Sequence, residues 1–465
     1  MRQIHAFMIA GTNSGCGKTT VSIGIMASLR NKGFRVQAFK VGPDFIDPGH
    51  HKRITNRPSH NLDGWMMTRE FNKEIFYRYA SNVDIAIVEG VMGLYDGFSG
   101  NSEAGSSAQI AKWLGLPVIL VIDASSLARS VAAICLGYKL FDTNVNIVGF
   151  ILNKVASPYH AQIIKEAMKN KGLNIIGILF RKNELKIPSR HLGLITADDL
   201  QNPTDMNKLA CWIDKGVNIS YLLKMTRYDF RCFKSKNKSY IYHMNHPTDK
   251  VRIGIAIDKA FCFYYEENIR LLKDAGAEII PFSPLKDKRL PYSLDGLIFG
   301  GGYPELNCSK LTANNQLMED IKSFSKNGGP IYAECGGFMY LMDSLIDMNK
   351  QYYKMVGIFP FKCQMHNRLK ALGYREIITE KDSVLGPAGT KIRGHEFHYS
   401  DIINYKNCET IYNVIDRYGN ILKKEGYIKD NVIGSYIHLH FGSNPNVATY
   451  FVDYCKKYRL KKELK

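Results

Sequence analysis

Two stretches of this chain carry residue types at spacings suited to phosphoryl and covalent chemistry. The first is Gly11-Thr-Asn-Ser-Gly-Cys-Gly-Lys-Thr-Thr20, between an apolar stretch and a helix-like one. Backbone N–H groups converging at a helix N-terminus favour phosphate. Lys18 would reach the terminal phosphates and the Thr19 hydroxyl would bind Mg²⁺, with Gly15, Gly17 and Thr20 completing a candidate ATP cradle. The strict pattern has glycine five residues before Gly17, where this chain has Thr12, so the loop is one residue longer between glycines. The second stretch is Glu334-Cys335-Gly336-Gly337, which follows the strand-like Pro330-Ile-Tyr-Ala333. A cysteine on a tight strand-to-helix turn is a nucleophile whose thiolate the helix N-terminus favours, beside backbone donors for an oxyanion.

Each centre needs partners from elsewhere. Asp84-Ile-Ala-Ile-Val-Glu89 places Glu89 at the carboxyl edge of a sheet, where a phosphate-bridging Mg²⁺ needs a carboxylate beside Thr19. Asp44 and Asp47, in Val41-Gly-Pro-Asp-Phe-Ile-Asp47, and Asp96, in Gly93-Leu-Tyr-Asp96, follow strand ends at the same edge. Any one of these aspartates would read as a turn residue. Together they form a candidate substrate and acyl-phosphate site, with Asp44 a further metal ligand beside Thr19 and Glu89. For the thiol, Gly301 and Gly302 of Gly300-Gly-Gly-Tyr-Pro-Glu305 are candidate oxyanion donors with Gly336. The base must come from far along the chain. Ile433-Gly-Ser-Tyr-Ile-His-Leu-His-Phe441 reads as a strand with two histidines, His438 and His440, on one face, one of them the base. Arg393-Gly-His-Glu-Phe-His-Tyr399 is a further polar cluster without an assigned role.

The positioning elements follow from apolar rhythm. Short Ile/Val-rich strands at 5–10, 35–40, 84–89, 117–123, 146–153 and 175–179 alternate with helical spacing at 19–31, 125–141 and 161–171. That alternation predicts a doubly wound parallel α/β sheet. The rhythm fades between about 202 and 250, then restarts with strands at 252–257, 278–281, 295–299 and 330–333 and a helix near 265–275. At 465 residues, two domains are the natural division.

Composition narrows the class. No apolar run approaches the roughly 20 residues of a membrane span, and the opening apolar stretch is too short for a signal peptide. Ten cysteines with no CxxC pair or zinc spacing fit a reducing cytoplasm. The net charge of +19 is spread over a solvated surface without a nucleic-acid-binding signature, and it would draw a multiply anionic small substrate.

These pieces in order resemble the cobyrinic acid a,c-diamide synthases of corrinoid biosynthesis along nearly the whole chain. The matching segments are 11–20, 39–49, 61–67, 89–97, 300–305, 333–341, 371–375, 385–389, 393–399 and 435–445. The resemblance implies an ATP-binding amide synthase domain like dethiobiotin synthetase over 1–200 and a connector over 201–250. A class I glutamine amidotransferase domain of the cobyrinate/cobyrate type would follow over 251–455. It implies that Cys335 forms a glutamyl thioester, that His438 in Tyr436-Ile-His438 is its base, and that ATP, Mg²⁺, glutamine and a corrinoid are the small-molecule partners. A homodimer is compatible with this, whereas nucleic acid and membrane are not expected partners. Many class I amidotransferases carry glutamate two residues after the base, where this chain has His440, which leaves the third member of the triad open. The same motifs would serve hydrogenobyrinic acid or nickel-sirohydrochlorin as acceptor. CTP synthase shares the domain order, but the loop 41–47 and the absence of a His-Pro-Glu motif argue against it. A partitioning-type ATPase would carry a lysine where Asn13 and Ser14 stand and would leave Cys335 unexplained.

Overall fold

The computed structural model describes residues 4–182, 189–190, 193–194, 204–230, 250–404 and 408–464. It divides into two compact units, Met1–Lys236 and Asn237–Lys465. The first holds β1 (Ile4–Gly11), β2 (Val36–Val41), β3 (His60–Leu62), β4 (Ile85–Glu89), β5 (Val118–Asp123), β6 (Ile147–Val155) and β7 (Ile175–Phe180). Their order across the sheet is β3-β2-β4-β1-β5-β6-β7, every neighbour parallel. Strands buried on both faces read as continuous apolar runs, which is why six of the seven stand where the sequence predicts them, to within a residue or two. The exception is β3, a three-residue edge strand of sequence His-Asn-Leu with no apolar rhythm to betray it.

Helix α1 (Lys18–Asn31) follows β1 through the glycine loop and buries one side in the core with Val21, Ile25 and Leu29. Against it packs Thr204–Gly216, whose Leu209, Trp212 and Ile213 fall at helical spacing and join that same core. The short strand Arg227–Tyr228 then pairs antiparallel with β1. Residues 204–230, expected as part of a connector over 201–250, are therefore built into the first unit. Charged and polar residues set among the apolar ones broke up the apolar stripe in the sequence. Of the rest of that expected connector, 201–203 and 231–249 lie outside the described residues.

The second unit is a ten-stranded mixed sheet with a four-stranded sheet beside it. Its parallel part runs Ala277–Phe282, Val251–Ala256, Gly296–Phe299, Ile331–Glu334, Val432–Ser435. The ladder continues antiparallel through Ile421–Lys429, Thr410–Ile415, Ala371–Thr379 and Lys391–His398 to Ile437–Leu439. The single strand expected over 433–441 is thus two strands, broken at Tyr436. Buried Glu425 causes the break: its Oε1 accepts from Tyr436 N (2.8 Å), while its Oε2 accepts from Ser435 Oγ (2.6 Å) and Tyr412 OH (2.8 Å). Ser435 Oγ in turn accepts from Ile437 N (2.9 Å), so side chains replace ladder bonds at the kink. Both halves of the kinked segment are thereby fixed, one beside the nucleophile strand and one beside Lys391–His398.

Candidate active sites

In the first unit the parallel register does the positioning. Ile9 and Lys40 both pair with Glu89, so the carboxyl ends of β1, β2 and β4 are level beside the glycine loop. Gly17 caps α1 at φ 94°, and a Cβ there would lie 2.2 Å from Asn153 Nδ2, so only glycine fits. Gly15 also has positive φ, and Thr20 lies in the first turn of α1. Asn153 Nδ2 donates to Cys16 O (2.9 Å) and Lys154 Nζ to Gly15 O (2.9 Å), bracing the loop from β6.

Thr19 Oγ1 donates to Glu89 Oε1 at 2.7 Å and lies 3.3 Å from Asp47 Oδ2. Buried between the two carboxylates is Lys40, its Nζ 2.5 Å from Asp47 Oδ2, 3.0 Å from Glu89 Oε1 and 3.1 Å from Gly90 O. His51 Nε2 lies 2.8 Å from Glu89 Oε2, and its Nδ1 3.0 Å from Ser59 Oγ. Burial alone would raise the Glu89 carboxyl, but Lys40, then His51 and Lys18, hold it well below the usual carboxylate range. Asp47 is pushed well above that range, by burial first and then by the charge of Asp44, with Lys40 opposing. Two adjacent carboxyls are thus driven apart.

No group of three or more His, Cys, Asp or Glu side chains among the described residues could hold a metal ion alone. That suits Mg²⁺ bound through one or two carboxylates plus phosphate oxygens. The donor set fits: a threonine hydroxyl, ionised Glu89, and Asp47, whose buried Oδ1 makes no hydrogen bond among the described residues. Asp44 stands further off. Its Oδ1 accepts from Ile46 N (2.8 Å) and Asp47 N (3.2 Å), capping the turn into Ile46–Thr55, and its Oδ2 reaches Lys40 only at 3.8 Å. Asp96 Oδ2 accepts from Gly93 N (2.8 Å) and closes the loop whose Met92 carbonyl accepts from Lys18 Nζ (3.0 Å).

In the second unit Cys335 tops the strand Ile331–Glu334 at φ 46°, ψ −105°, just before the short helix Gly336–Leu341. Among the described cysteines it alone has positive φ, the mark of a nucleophile elbow. Its thiol does not follow the expected thiolate preference. Burial pushes it far above the ordinary range, Glu305 adds to the rise, and the Gly336 N–H opposes it without prevailing. A thiol raised in this way would need a base to act as a nucleophile.

The candidate base lies against the glycine loop. His438 packs so closely on Gly301 that a Cβ there would lie 2.4 Å from His438 Cε1. Gly302 N lies 3.0 Å from where a Cβ on Gly336 would stand, which brings all three expected oxyanion glycines together with the elbow. Tyr264 OH accepts from Gly300 N (2.8 Å) and fixes the start of this loop. His395 stacks on His438 with ring centroids 4.9 Å apart, and its Nδ1 lies 2.8 Å from Tyr265 OH. Burial, then the neighbouring His438 and His440, hold His395 well below the ordinary histidine range.

His440 is no second base. Its Nδ1 accepts from Gly442 N (3.0 Å), capping the turn Phe441–Ser443, and burial lowers it to about 4. The unfolded chain therefore binds a proton here that the folded chain refuses between pH 6.5 and about 4, and stability is lost as pH falls through that window. For His440 alone the loss approaches about 3 kcal/mol. Urea unfolding at pH 7 and pH 4.5 is expected to show this loss in the wild type. A smaller one is expected in His440→Asn, which keeps an acceptor for Gly442 N.

The sequence did not single out Lys40, His51, Tyr264 or Glu334. Lys40 had a legible signal: a lysine inside a strand whose other residues are apolar apart from Gln37, near the end that carries the loop. His51, on a helix of low apolar content, had none.

Comparison with known proteins matches both halves of the chain. Residues 7–195 match the CobQ/CobB/MinD/ParA nucleotide binding domain and residues 252–446 the CobB/CobQ-like glutamine amidotransferase domain. The first description also spans MinD and ParA, so the full-length relatives decide between them. The cobyrinate a,c-diamide synthase of Leptospira interrogans (strain Fiocruz L1-130) is 42% identical over 458 residues, 97% of this chain and 99% of that one. That of Picrophilus torridus is 42% identical over 460 residues, 97% and 99% of the two chains. That of Dehalococcoides mccartyi (strain CBDB1) is 40% identical over 457 residues, 96% and 98%. No helix among the described residues is long and apolar enough to cross a membrane. With both domains matched and end-to-end identity at this level, the chain belongs to the cobyrinate a,c-diamide synthase family.

Proposed function

We propose that this chain converts the a and c acetate carboxylates of cobyrinic acid to amides in cobalamin biosynthesis, with ATP activating each carboxylate and glutamine supplying the nitrogen. The observation that supports it most is the pairing, in one chain, of a cysteine elbow and an imidazole packed on the same glycine loop with a phosphate loop whose threonine meets buried carboxylates.

In the glutaminase half, His438 takes the Cys335 proton and the sulfur attacks the glutamine amide carbon. Backbone N–H groups of Gly336 and of the Gly301–Gly302 segment hold the developing oxyanion. The proton returns to nitrogen, ammonia leaves, and water then cleaves the thioester to glutamate and the free thiol. In the synthase half, the glycine loop and Lys18 hold ATP, releasing Lys18 from the Met92 carbonyl. Thr19, Glu89 and Asp47 would hold Mg²⁺, which when bound neutralises charge on the phosphates. Lys40 keeps Asp47 and Glu89 together and offers its ammonium to an incoming carboxylate. The substrate carboxylate takes the terminal phosphoryl group, and ammonia displaces phosphate to leave the amide. Excluding water protects the acyl phosphate.

Side-by-side assays with cobyrinic acid, hydrogenobyrinic acid and nickel-sirohydrochlorin, read by product mass, test the acceptor. Twofold amidation of cobyrinic acid is expected, and strong preference for nickel-sirohydrochlorin would overturn the assignment. Asp47→Asn and Asp96→Asn are expected to slow amidation more than glutamine hydrolysis. Unchanged product formation in both would move the acceptor away from these loops.

A further inference from the structure

We propose that Glu334, the residue immediately before the nucleophile, is the carboxylate that orients His438. This rests on the glutaminase reading above. It fills the place left open by His440, which stands where many class I amidotransferases carry glutamate.

The geometry begins with the two strands. Ile331–Glu334 and Val432–Ser435 run parallel with Glu334 opposite Ser435, so Glu334 lies beside the kinked segment that continues to His438. Its side chain is buried, and its two oxygens have different surroundings. Oε1 accepts from Tyr332 OH (2.6 Å) and from Leu439 N (3.0 Å), the backbone amide directly after the base. Oε2 faces His438 Nδ1 at 3.6 Å. The other buried carboxylate of this region, Glu425, gives both oxygens to backbone and hydroxyl donors at the kink. The rings around His438 supply no competing charge, since His395 and His440 are both held neutral near pH 7.

A carboxylate facing Nδ1 has two effects. It favours the tautomer with hydrogen on Nδ1, which leaves Nε2 free to take the thiol proton, and it stabilises the imidazolium that then forms. It does so without entering the covalent chemistry, so Glu334 is a positioning residue. The short link between roles explains the arrangement. One strand end carries the nucleophile and the carboxylate as chain neighbours, and the base is clamped to that same strand by Leu439 N.

Glu334→Gln tests this because glutamine can keep the acceptor for Tyr332 and Leu439. Its amide nitrogen then faces Nδ1 and donates to it, which imposes the wrong tautomer. The expected result is a fall of about 10²-fold or more in kcat for glutamine hydrolysis, by analogy with triad carboxylates. Glutamine KM should change little, and ammonia-supported amidation and the thermal midpoint should stay near wild type. A kcat within about twofold of wild type in a folded variant overturns the proposal. So does a variant whose only defect is a lowered midpoint. If the variant does not fold, histidine NMR of the wild type decides: neutral His438 carrying its proton on Nδ1 supports the proposal, and on Nε2 overturns it. Cys335→Ala run in parallel separates the two levels of failure, because glutamine turnover surviving there sinks the glutaminase reading itself.

Discussion

Cys335→Ala is expected to abolish glutamine-dependent amidation while amidation with concentrated ammonium at alkaline pH continues at near the wild-type rate. Loss of a covalent nucleophile typically costs roughly 10⁴–10⁶ in kcat, because what remains is binding and the oxyanion donors alone. The substitution removes one sulfur from a buried position and leaves Gly301, Gly302 and Gly336 in place. The phosphate loop, Lys40 and the acidic side chains belong to the other compact unit. Measuring glutamate release and amide formation separately checks both halves. Normal glutamine turnover in the variant would mean that another group is the nucleophile.

The complementary result comes from the first unit. Lys18→Ala or Glu89→Ala is expected to stop amidation with glutamine and with ammonia alike, by about 10²–10³-fold for each lost electrostatic contact. Glu89→Ala should be the more damaging of the two. It removes a charge that Thr19, Lys40 and His51 all engage, and leaves the buried Lys40 ammonium with one close carboxylate partner fewer. Glu89→Gln distinguishes the lost charge from lost packing. Full ammonia-dependent activity in either alanine variant would place ATP elsewhere.

The sequence disclosed what repeats or what chemistry constrains tightly. The parallel strands were legible because burial on both faces leaves long apolar runs, and the two centres because a glycine loop and a cysteine turn have few other uses. It concealed whatever depends on tertiary partners. Thr204–Gly216 looked like connector because the apolar rhythm fades around it, although Leu209, Trp212 and Ile213 keep helical spacing. The break at Tyr436 is imposed by Glu425, eleven residues away on another strand, and no local propensity announces it. The pairing of Lys40 with Glu89 comes from sheet order, which places β4 between β2 and β1. The thiol's upward displacement reversed the expectation from the helix end because the site is closed off from water.

One feature of the elbow has a consequence for inheritance. A non-glycine residue held at φ 46°, ψ −105° costs about 1–3 kcal/mol, against a total stability of roughly 5–15 kcal/mol for an ordinary domain. Selection for folding alone would therefore drive this codon toward glycine. A lineage that came to draw nitrogen from free ammonia would not shed the thiol by neutral decay. It would gain heat tolerance at the step that lost it, and the loss would be hard to reverse. On the role proposed for Cys335, a cysteine kept at this position marks a chain that still draws its nitrogen from glutamine.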